Sequence, residues 1–385
     1  MSKSIRVAMI SHGYFPRVGG AERQLAALAP VLRQRGIDVH VLTRRDPGLK
    51  PFEIVAGVPV HRLPVPRPKP VASLAFTLAA LPLLHRLRPD VIHAHELFSP
   101  ATTALLGKRW LRTPVVATAH RSGELGDVFR IERKPFGTRR LRLLRENVDV
   151  FVTISQEIDR ELDTVGIPSD RRAFISNGVD TQRFSPLPPA ERSTQRALLG
   201  LPDAPTAVFT GRLAPEKRVK HLIAVWPAVR AAVPNATLLV LGAGEMDQEL
   251  KAAAGEGVRF LGAVDDVAPY LQCADLFVLP SMAEGLSVSL LEAMSTGLAS
   301  IATAVGGTPE VIDDRANGWL IEPDNRTELR DALLTLFRET DLRNELGRQG
   351  RQRVLDRYSV DSVGSRLQQL YERLVERGAV AVTTS

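Results

Sequence analysis

Two acids, Glu284 and Glu292, stand in the run Pro280-Ser-Met-Ala-Glu284-Gly285-Leu286-Ser287-Val288-Ser-Leu-Leu-Glu292-Ala-Met. The apolar stretch Asp275-Leu-Phe-Val-Leu279 before them reads as a strand. Glu284 then closes the loop after the strand, and Glu292 lies about one turn inside the following helix. A helix N-terminus offers unbonded backbone N–H groups and about half a positive charge, which suits a phosphate or another electron-rich oxygen. A carboxylate in the loop and another just inside the helix can each accept hydrogen bonds from a pair of sugar hydroxyls. With one acid for a donated sugar and the other for a ribose, the spacing suggests a nucleotide-sugar. Two acids at such a separation are solvated surface residues in most chains, so the surroundings decide. Here Gly297 and the strand Ala299-Ser-Ile-Ala-Thr303 lead into Ala304-Val-Gly306-Gly307-Thr308-Pro309-Glu310. That is a glycine turn feeding a helix start, with Thr308 at the cap, Pro309 at the first helical position and Glu310 in the first turn. Two strand–turn–helix corners in succession open on one sheet edge, where α/β folds bind ligands.

Other residues add to this chemistry. Gly211-Arg212-Leu213-Ala214-Pro215-Glu216-Lys217 follows a strand directly. Its arginine fork and lysine point charge can together neutralise a diphosphate. Gly13-Tyr-Phe-Pro16-Arg-Val-Gly19-Gly20-Ala21-Glu22 joins the first strand to the first helix, where glycine admits close backbone approach to a ligand. His120 ends the strand Pro114-Val-Val-Ala-Thr-Ala119, and the C-terminal end of a parallel strand faces the ligand crevice. His93 and His95 share a strand face; a metal pair is the minor reading, since no further ligands accompany them. Leu239-Val-Leu-Gly242-Ala-Gly244-Glu-Met-Asp247 lacks the third glycine of a dinucleotide fingerprint and reads as a structural turn. The nearby Phe260-Leu-Gly262-Ala-Val264 is placed to pass a nucleotide base.

Glu284-x7-Glu292 followed by Gly306-Gly307-x-Pro309-Glu310 resembles the signature of family four (GT4) retaining glycosyltransferases, which have the GT-B fold. The resemblance covers nearly the whole chain. It implies α/β architecture with two Rossmann-like, doubly wound domains facing across a deep cleft and a C-terminal helix returning to the first. The domains are then 1–185 with helix 360–380, on the acceptor side, and 186–359, which binds the donor. It also implies a hexosyltransferase that moves a sugar from an NDP-sugar to a hydroxyl of a glycan, glycolipid or small molecule, in cell-surface polysaccharide or glycoconjugate biosynthesis. By the same resemblance Arg212 and Lys217 hold the diphosphate, Glu292 the ribose and Glu284 the sugar hydroxyls, helped by backbone N–H groups of Leu286, Ser287 and Val288. Gly19 and Gly20 meet the donor's phosphates or sugar, and His120 lies against the sugar, so that His120 and Glu284 are the catalytic pair. No metal or other cofactor is implied, and no Asp-x-Asp motif is present. Two positions depart from the family pattern: Arg218 stands where a glycine often follows the lysine, and Leu286-Ser287 replaces a Phe-Gly. A GT-B sugar-nucleotide epimerase and a non-catalytic nucleotide-sugar binder remain as alternatives.

The rest of the chain must position these groups. With 385 residues, 44% of them apolar and 24% charged, it suits two soluble domains. Short apolar strands alternate with helices in two rounds, which implies two parallel, doubly covered sheets. Ser185-Pro-Leu-Pro-Pro189 reads as the linker. The single Cys273 reads as a buried small hydrophobe compatible with a reducing compartment. The apolar stretch Val71–Leu84 is too short for a bilayer span of about 20 residues and reads as a core or interfacial helix. Net charge is +7. Arg133, Lys134, Arg139, Arg140, Arg142 and Arg145 crowd the acid-free 133–145 segment, a basic surface for anionic lipid or a phosphorylated acceptor, or an ordinary solvated face. Few aromatic residues interleave with those cations, so nucleic acid is not an expected partner. The expected location is cytoplasmic, with peripheral attachment to the inner face of the membrane if that surface binds lipid.

Overall fold

The computed structural model describes residues 4–16, 19–66 and 69–383. Arg17 and Val18 of the first glycine turn, and Arg67 and Pro68, lie outside the described residues. The chain divides into two compact units, Met1–Gly178 with Val360–Ser385, and Val179–Ser359.

The first unit runs β1 (Arg6–Ile10), α1 (Gly20–Gln34), β2 (Asp38–Arg44), β3 (Phe52–Val55), β4 (Val58–Leu63), α2 (Lys69–Leu87) and β5 (Val91–His95). It continues α3 (Ser99–Leu111), β6 (Val115–Ala119), α4 (Asp127–Glu132), α5 (Gly137–Asn147), β7 (Val150–Thr153), α6 (Gln156–Thr164) and β8 (Arg172–Phe174). The sheet order is β3-β4-β2-β1-β5-β6-β7-β8, with β3 the antiparallel edge strand. Strands such as β5 and β6 are buried along their whole length, which is why they read as unbroken runs rather than alternating ones. The strand order reverses between β1 and β5, so the loops after these two strands flank the point where such sheets bind ligands. α2 has two faces. Ala72, Phe76, Ala80 and Leu84 are buried at steps of one turn, while Val71, Leu74 and Leu78 are exposed. No described helix is long and apolar enough to cross a membrane.

The second unit runs α7 (Pro189–Leu198), β9 (Thr206–Thr210), α8 (Val219–Ala232), β10 (Thr237–Leu241), α9 (Asp247–Ala253), β11 (Val258–Gly262), α10 (Ala268–Cys273) and β12 (Leu276–Leu279). It ends with α11 (Val288–Ser295), β13 (Ala299–Thr303), α12 (Thr308–Val311), β14 (Trp319–Ile321), α13 (Arg326–Arg338) and α14 (Thr340–Arg357). Its all-parallel sheet has the order β11-β10-β9-β12-β13-β14, reversing between β9 and β12. Cys273 is buried at the end of α10. The last helix, α15 (Val360–Thr383), returns to the first unit. Its Val360, Val363, Leu367, Leu370, Tyr371 and Leu374 form one helical face and join the core of Val7, Met9, Leu25, Leu28 and Leu32. At the junction the Gly178 N–H donates to Gln24 Oε1 at 3.0 Å. A Cβ on Gly178 would stand 2.9 Å from Val360 Cα, so the close seating of α15 requires glycine there.

Candidate active site

The loops after β9 and β12 flank the reversal point of the second sheet and carry most of the predicted donor residues. Lys217 Nζ donates to Glu284 Oε1 at 2.6 Å, with the two side chains only 19% and 8% exposed. Arg212 is more open and forms an ion pair with Glu216. Burial works against the charge on Glu216, but a backbone hydrogen bond and the Arg212 guanidinium hold its carboxyl below the usual range. The Met282 N–H donates to the Glu216 carbonyl at 2.7 Å, tying the two loops together.

Two glycine pairs seat these loops. A Cβ on Gly242 would stand 1.8 Å from the Gly211 carbonyl oxygen, and one on Gly244 would stand 2.2 Å from that of Leu213. The Gly242-Ala-Gly244 run is therefore the floor under the Arg212 loop, the structural turn that its incomplete fingerprint suggested. Gly306, at φ 57°, approaches the Glu284 carbonyl so closely that a Cβ would stand 1.8 Å from its oxygen. The Gly307 N–H donates to the Gly285 carbonyl at 2.7 Å. Because Gly307 lies against the Glu284 loop, it takes the cap position of α12; Thr308 opens the helix instead of capping it, and its hydroxyl is buried.

Ser287 caps α11, its Oγ accepting from the Leu290 N–H at 3.3 Å. Leu286, Ser287 and Val288 are buried, and Glu292 is buried within α11. Arg218 stands at φ 51°, in the left-handed region that glycine adopts without strain. Its guanidinium is held by Asp324 at 3.0 Å and by Met282 Sδ.

His120, Gly19 and Gly20 belong to the first unit, at the C-terminal edge of its sheet. Gly19 is the cap of α1 at φ −148°, extended backbone open to any residue, and Gly20 begins the helix. A Cβ on Gly20 would meet nothing within 4 Å, and one on Gly19 only the flexible end of Glu22. Packing among the described residues therefore does not require glycine here. His120 Nε2 shares a hydrogen bond with His95 Nδ1 at 3.2 Å. Burial pushes the His120 imidazole down to about 4 despite the Glu96 carboxylate, so the ring is neutral at neutral pH. His93 bonds the Tyr371 hydroxyl and Thr118 Oγ1, each at 2.7 Å. Both of its nitrogens are thus engaged. Among the described residues no three His, Cys, Asp or Glu side chains are grouped to hold a metal ion.

Several first-unit groups escaped sequence reasoning. His12, after β1, bonds Glu96 through Nδ1 and Ser99 Oγ through Nε2. Glu96 follows β5 at φ 87°. Burial opposes its charge, but His12, with His120 and Arg121, keeps the carboxyl below the usual range. Next to it, Asp127 accepts from the Leu97 N–H at 2.9 Å, and burial pushes its carboxyl up to about 7. In the basic segment Arg133, Lys134, Arg139 and Arg142 are exposed, as is Phe136. Arg140 corrects the expectation of a uniformly outward charge. It turns inward and donates to the Leu97 carbonyl and Thr102 Oγ1, and Arg145 is half-buried.

Known structures and relatives agree with this architecture. Sucrose-phosphate synthase from Thermosynechococcus elongatus superposes with a TM-score of 0.82 at 22% identity, covering 97% of this chain and 100% of that one. HepE of Anabaena, solved in complex with UDP-glucose, gives 0.82 at 20% identity, covering 96% and 100%. The GDP-mannose-dependent monoacylated alpha-(1-6)-phosphatidylinositol monomannoside mannosyltransferase of Corynebacterium glutamicum is 28% identical over 95% of this chain and 98% of its own. The phosphatidyl-myo-inositol mannosyltransferase of Mycobacterium leprae is 29% identical over 97% and 98%. Residues 18–183 match the model for Glycosyltransferase Family 4, and residues 204–339 that for glycosyl transferases group 1. With the body of each unit accounted for in this way, the chain belongs to glycosyltransferase family 4 and has the GT-B fold.

Proposed function

We propose that this glycosyltransferase moves a hexose from a nucleoside diphosphate sugar to a hydroxyl of a glycan or glycolipid, with retention of configuration and without a metal. The Lys217–Glu284 pair carries the reading: a diphosphate cation and a sugar-binding acid meet at 2.6 Å beside the reversal point of the second sheet. In this reading Arg212 and Lys217 take the diphosphate, Glu292 the ribose diol and Glu284 the sugar hydroxyls, with the main chain at Ser287 and Val288 assisting. Gly19 and Gly20 offer the N-terminus of α1 to the donor, and His120 contacts its sugar. As the bond from sugar to phosphate lengthens, negative charge grows on the leaving diphosphate. Fixed cations and helix N-termini aimed at that charge stabilise it. A donor phosphate oxygen takes the acceptor's proton on the face where it attacks, so the chain itself needs no base for this step.

The names of the relatives favour a lipid-borne acceptor. The exposed Arg133, Lys134, Arg139, Arg142 and Phe136 would hold the enzyme at the cytoplasmic face of an anionic membrane. Replacing Arg139 and Arg142 with Ser should weaken sedimentation with anionic liposomes; unchanged sedimentation removes the membrane from the proposal. The donor site is tested by ligand-induced thermal stabilisation with UDP-, GDP-, ADP- and dTDP-sugars, headed by GDP-mannose and UDP-glucose. A donor at a hundred times its dissociation constant adds about 2.7 kcal/mol of stability. One donor should stand out and lose its effect in Glu292→Gln and Arg212→Ala. A shift untouched by either substitution would sink the site as drawn.

A further inference from the structure

Behind His120 lies a stack of aromatic rings. His93 and His95 on β5 have ring centroids 4.4 Å apart at 23°. His95 and His120 are 5.4 Å apart at 17°. Tyr371 of α15 closes the far end, edge-on to His93 at 5.9 Å and bonded to its Nδ1. Thr118, on β6 just before His120, bonds the other nitrogen of His93. His93 and His95 are 1% and 3% exposed, so neither ring can turn without disturbing two strands and a helix.

The contact between His95 Nδ1 and His120 Nε2 is a hydrogen bond in which one nitrogen carries the proton and the other accepts it. His95 Nε2 decides which. That atom is buried and has no partner among the described residues. A proton on it would make an orphaned buried N–H, rarer in proteins than an unmatched acceptor. The His95 proton therefore sits on Nδ1 and is donated to His120 Nε2. The neutral His120 ring must then carry its own proton on Nδ1, an atom with no partner among the described residues.

We infer that His120 serves the reaction as a neutral hydrogen-bond donor through Nδ1–H, toward an oxygen lone pair of the donor sugar, and that His95 is the positioning residue that fixes this tautomer. With Nε2 occupied and Nδ1 protonated, the ring has no lone pair left to deprotonate an acceptor hydroxyl. His120 is then not the general base. The assignment of the atom it shows to the sugar rests on the proposed function; the tautomer does not.

The test is two-bond proton–nitrogen correlation spectroscopy of the ligand-free protein labelled with 15N-histidine, with His120 identified by the signals lost in His120→Gln. The expected spectrum shows His120 Nδ1 protonated and Nε2 bare. His95→Phe keeps a flat ring in the stack but removes the donor. It should move His120 toward the Nε2–H form and lower turnover of the panel-selected nucleotide sugar about tenfold, the loss of about one hydrogen bond in the transition state. His95→Asn, which puts an amide N–H near the lost Nδ1–H, should restore both readings. A wild-type His120 protonated on Nε2, or a tautomer indifferent to His95→Phe, overturns the assignment. The expected tautomer with turnover unmoved in His95→Phe overturns the role toward the sugar. Failure of every nucleotide sugar to stabilise the protein would instead strike the proposed donor site, which the spectra do not depend on.

Discussion

Lys217 and Glu284 lie in different loops and form an ion pair in a nearly closed position. Losing one partner from such a pair leaves the other's charge without its counter-ion. Lys217→Met should cost about 3 kcal/mol, because the Glu284 carboxylate is left with little water to solvate it. Glu284→Gln should cost about 1 kcal/mol, since the Lys217 ammonium is the more exposed partner. The double variant should cost less than the two together, with a coupling of about 1–2 kcal/mol in urea unfolding. Strictly additive losses would mean that the pair does not hold the loops. The members of this pair were legible because each lies, after a recognisable strand, in a run that resembles the family's motifs. His12 and Glu96 were not. They lie 84 residues apart and meet only because β1 and β5 are neighbours in the sheet, a fact of strand order that no local pattern carries.

At the scale of elements, the second unit's site depends on loops resting on glycine. Gly306→Ala combines a backbone angle disfavoured by any side chain with a Cβ placed against the Glu284 carbonyl. It should cost about 2 kcal/mol or more and abolish donor-induced stabilisation, since the loop bearing Glu284 must move. Arg218→Gly should do neither. Relief of the left-handed backbone is worth about 1 kcal/mol, and the half-exposed Arg218–Asp324 pair it removes about 0–1 kcal/mol. Equal damage from both substitutions would show that the loops are not seated as described. Elements with an apolar face were readable from sequence; those held by other means were not. α7 buries Arg196 alone among its residues, and that guanidinium bonds the carbonyls of Cys273, Pro202 and Ala204. A helix tethered by hydrogen bonds has no hydrophobic period to find. β3 is a half-exposed edge strand joined to β4 through Ala56 and Gly57, both at positive φ, so a hairpin closed without the usual Asn-Gly or Asp-Gly hides it.

For the molecule as a whole, the two rounds of strand and helix were plain in the sequence, whereas the unequal chemistry of the two units emerged only with the fold. Histidines held neutral by burial concentrate in the first unit. His93 lies at about 3, His61 and His120 at about 4, and His95 well below the ordinary 6.5. The unfolded chain binds protons at these sites near pH 6.5, and the folded chain does so only below about 4. Between those limits the unfolded state holds more protons, so this stability is complete above pH 6.5 and is lost as the pH falls. Each fully shifted histidine contributes a slope of about 1.4 kcal/mol per pH unit. Asp127 acts in the opposite sense. Burial raises its carboxyl to about 7, so the folded state holds the extra proton between about 4 and 7 and gains stability as the pH falls through that range. One aspartate offsets one histidine, and the remainder still favour unfolding. The second unit's one histidine, His221, is also lowered. Hydrogen exchange at pH 7.5 and pH 5, corrected for intrinsic rates, should therefore show β5 and β6 losing protection while β10 and β12 keep theirs. Asp127→Asn should steepen the loss in β5 and β6, because the opposing proton uptake is gone. Equal protection of β5 and β6 at both values would mean that the histidine stack is already charged or solvated, and the tautomer argument built on it would fall with it.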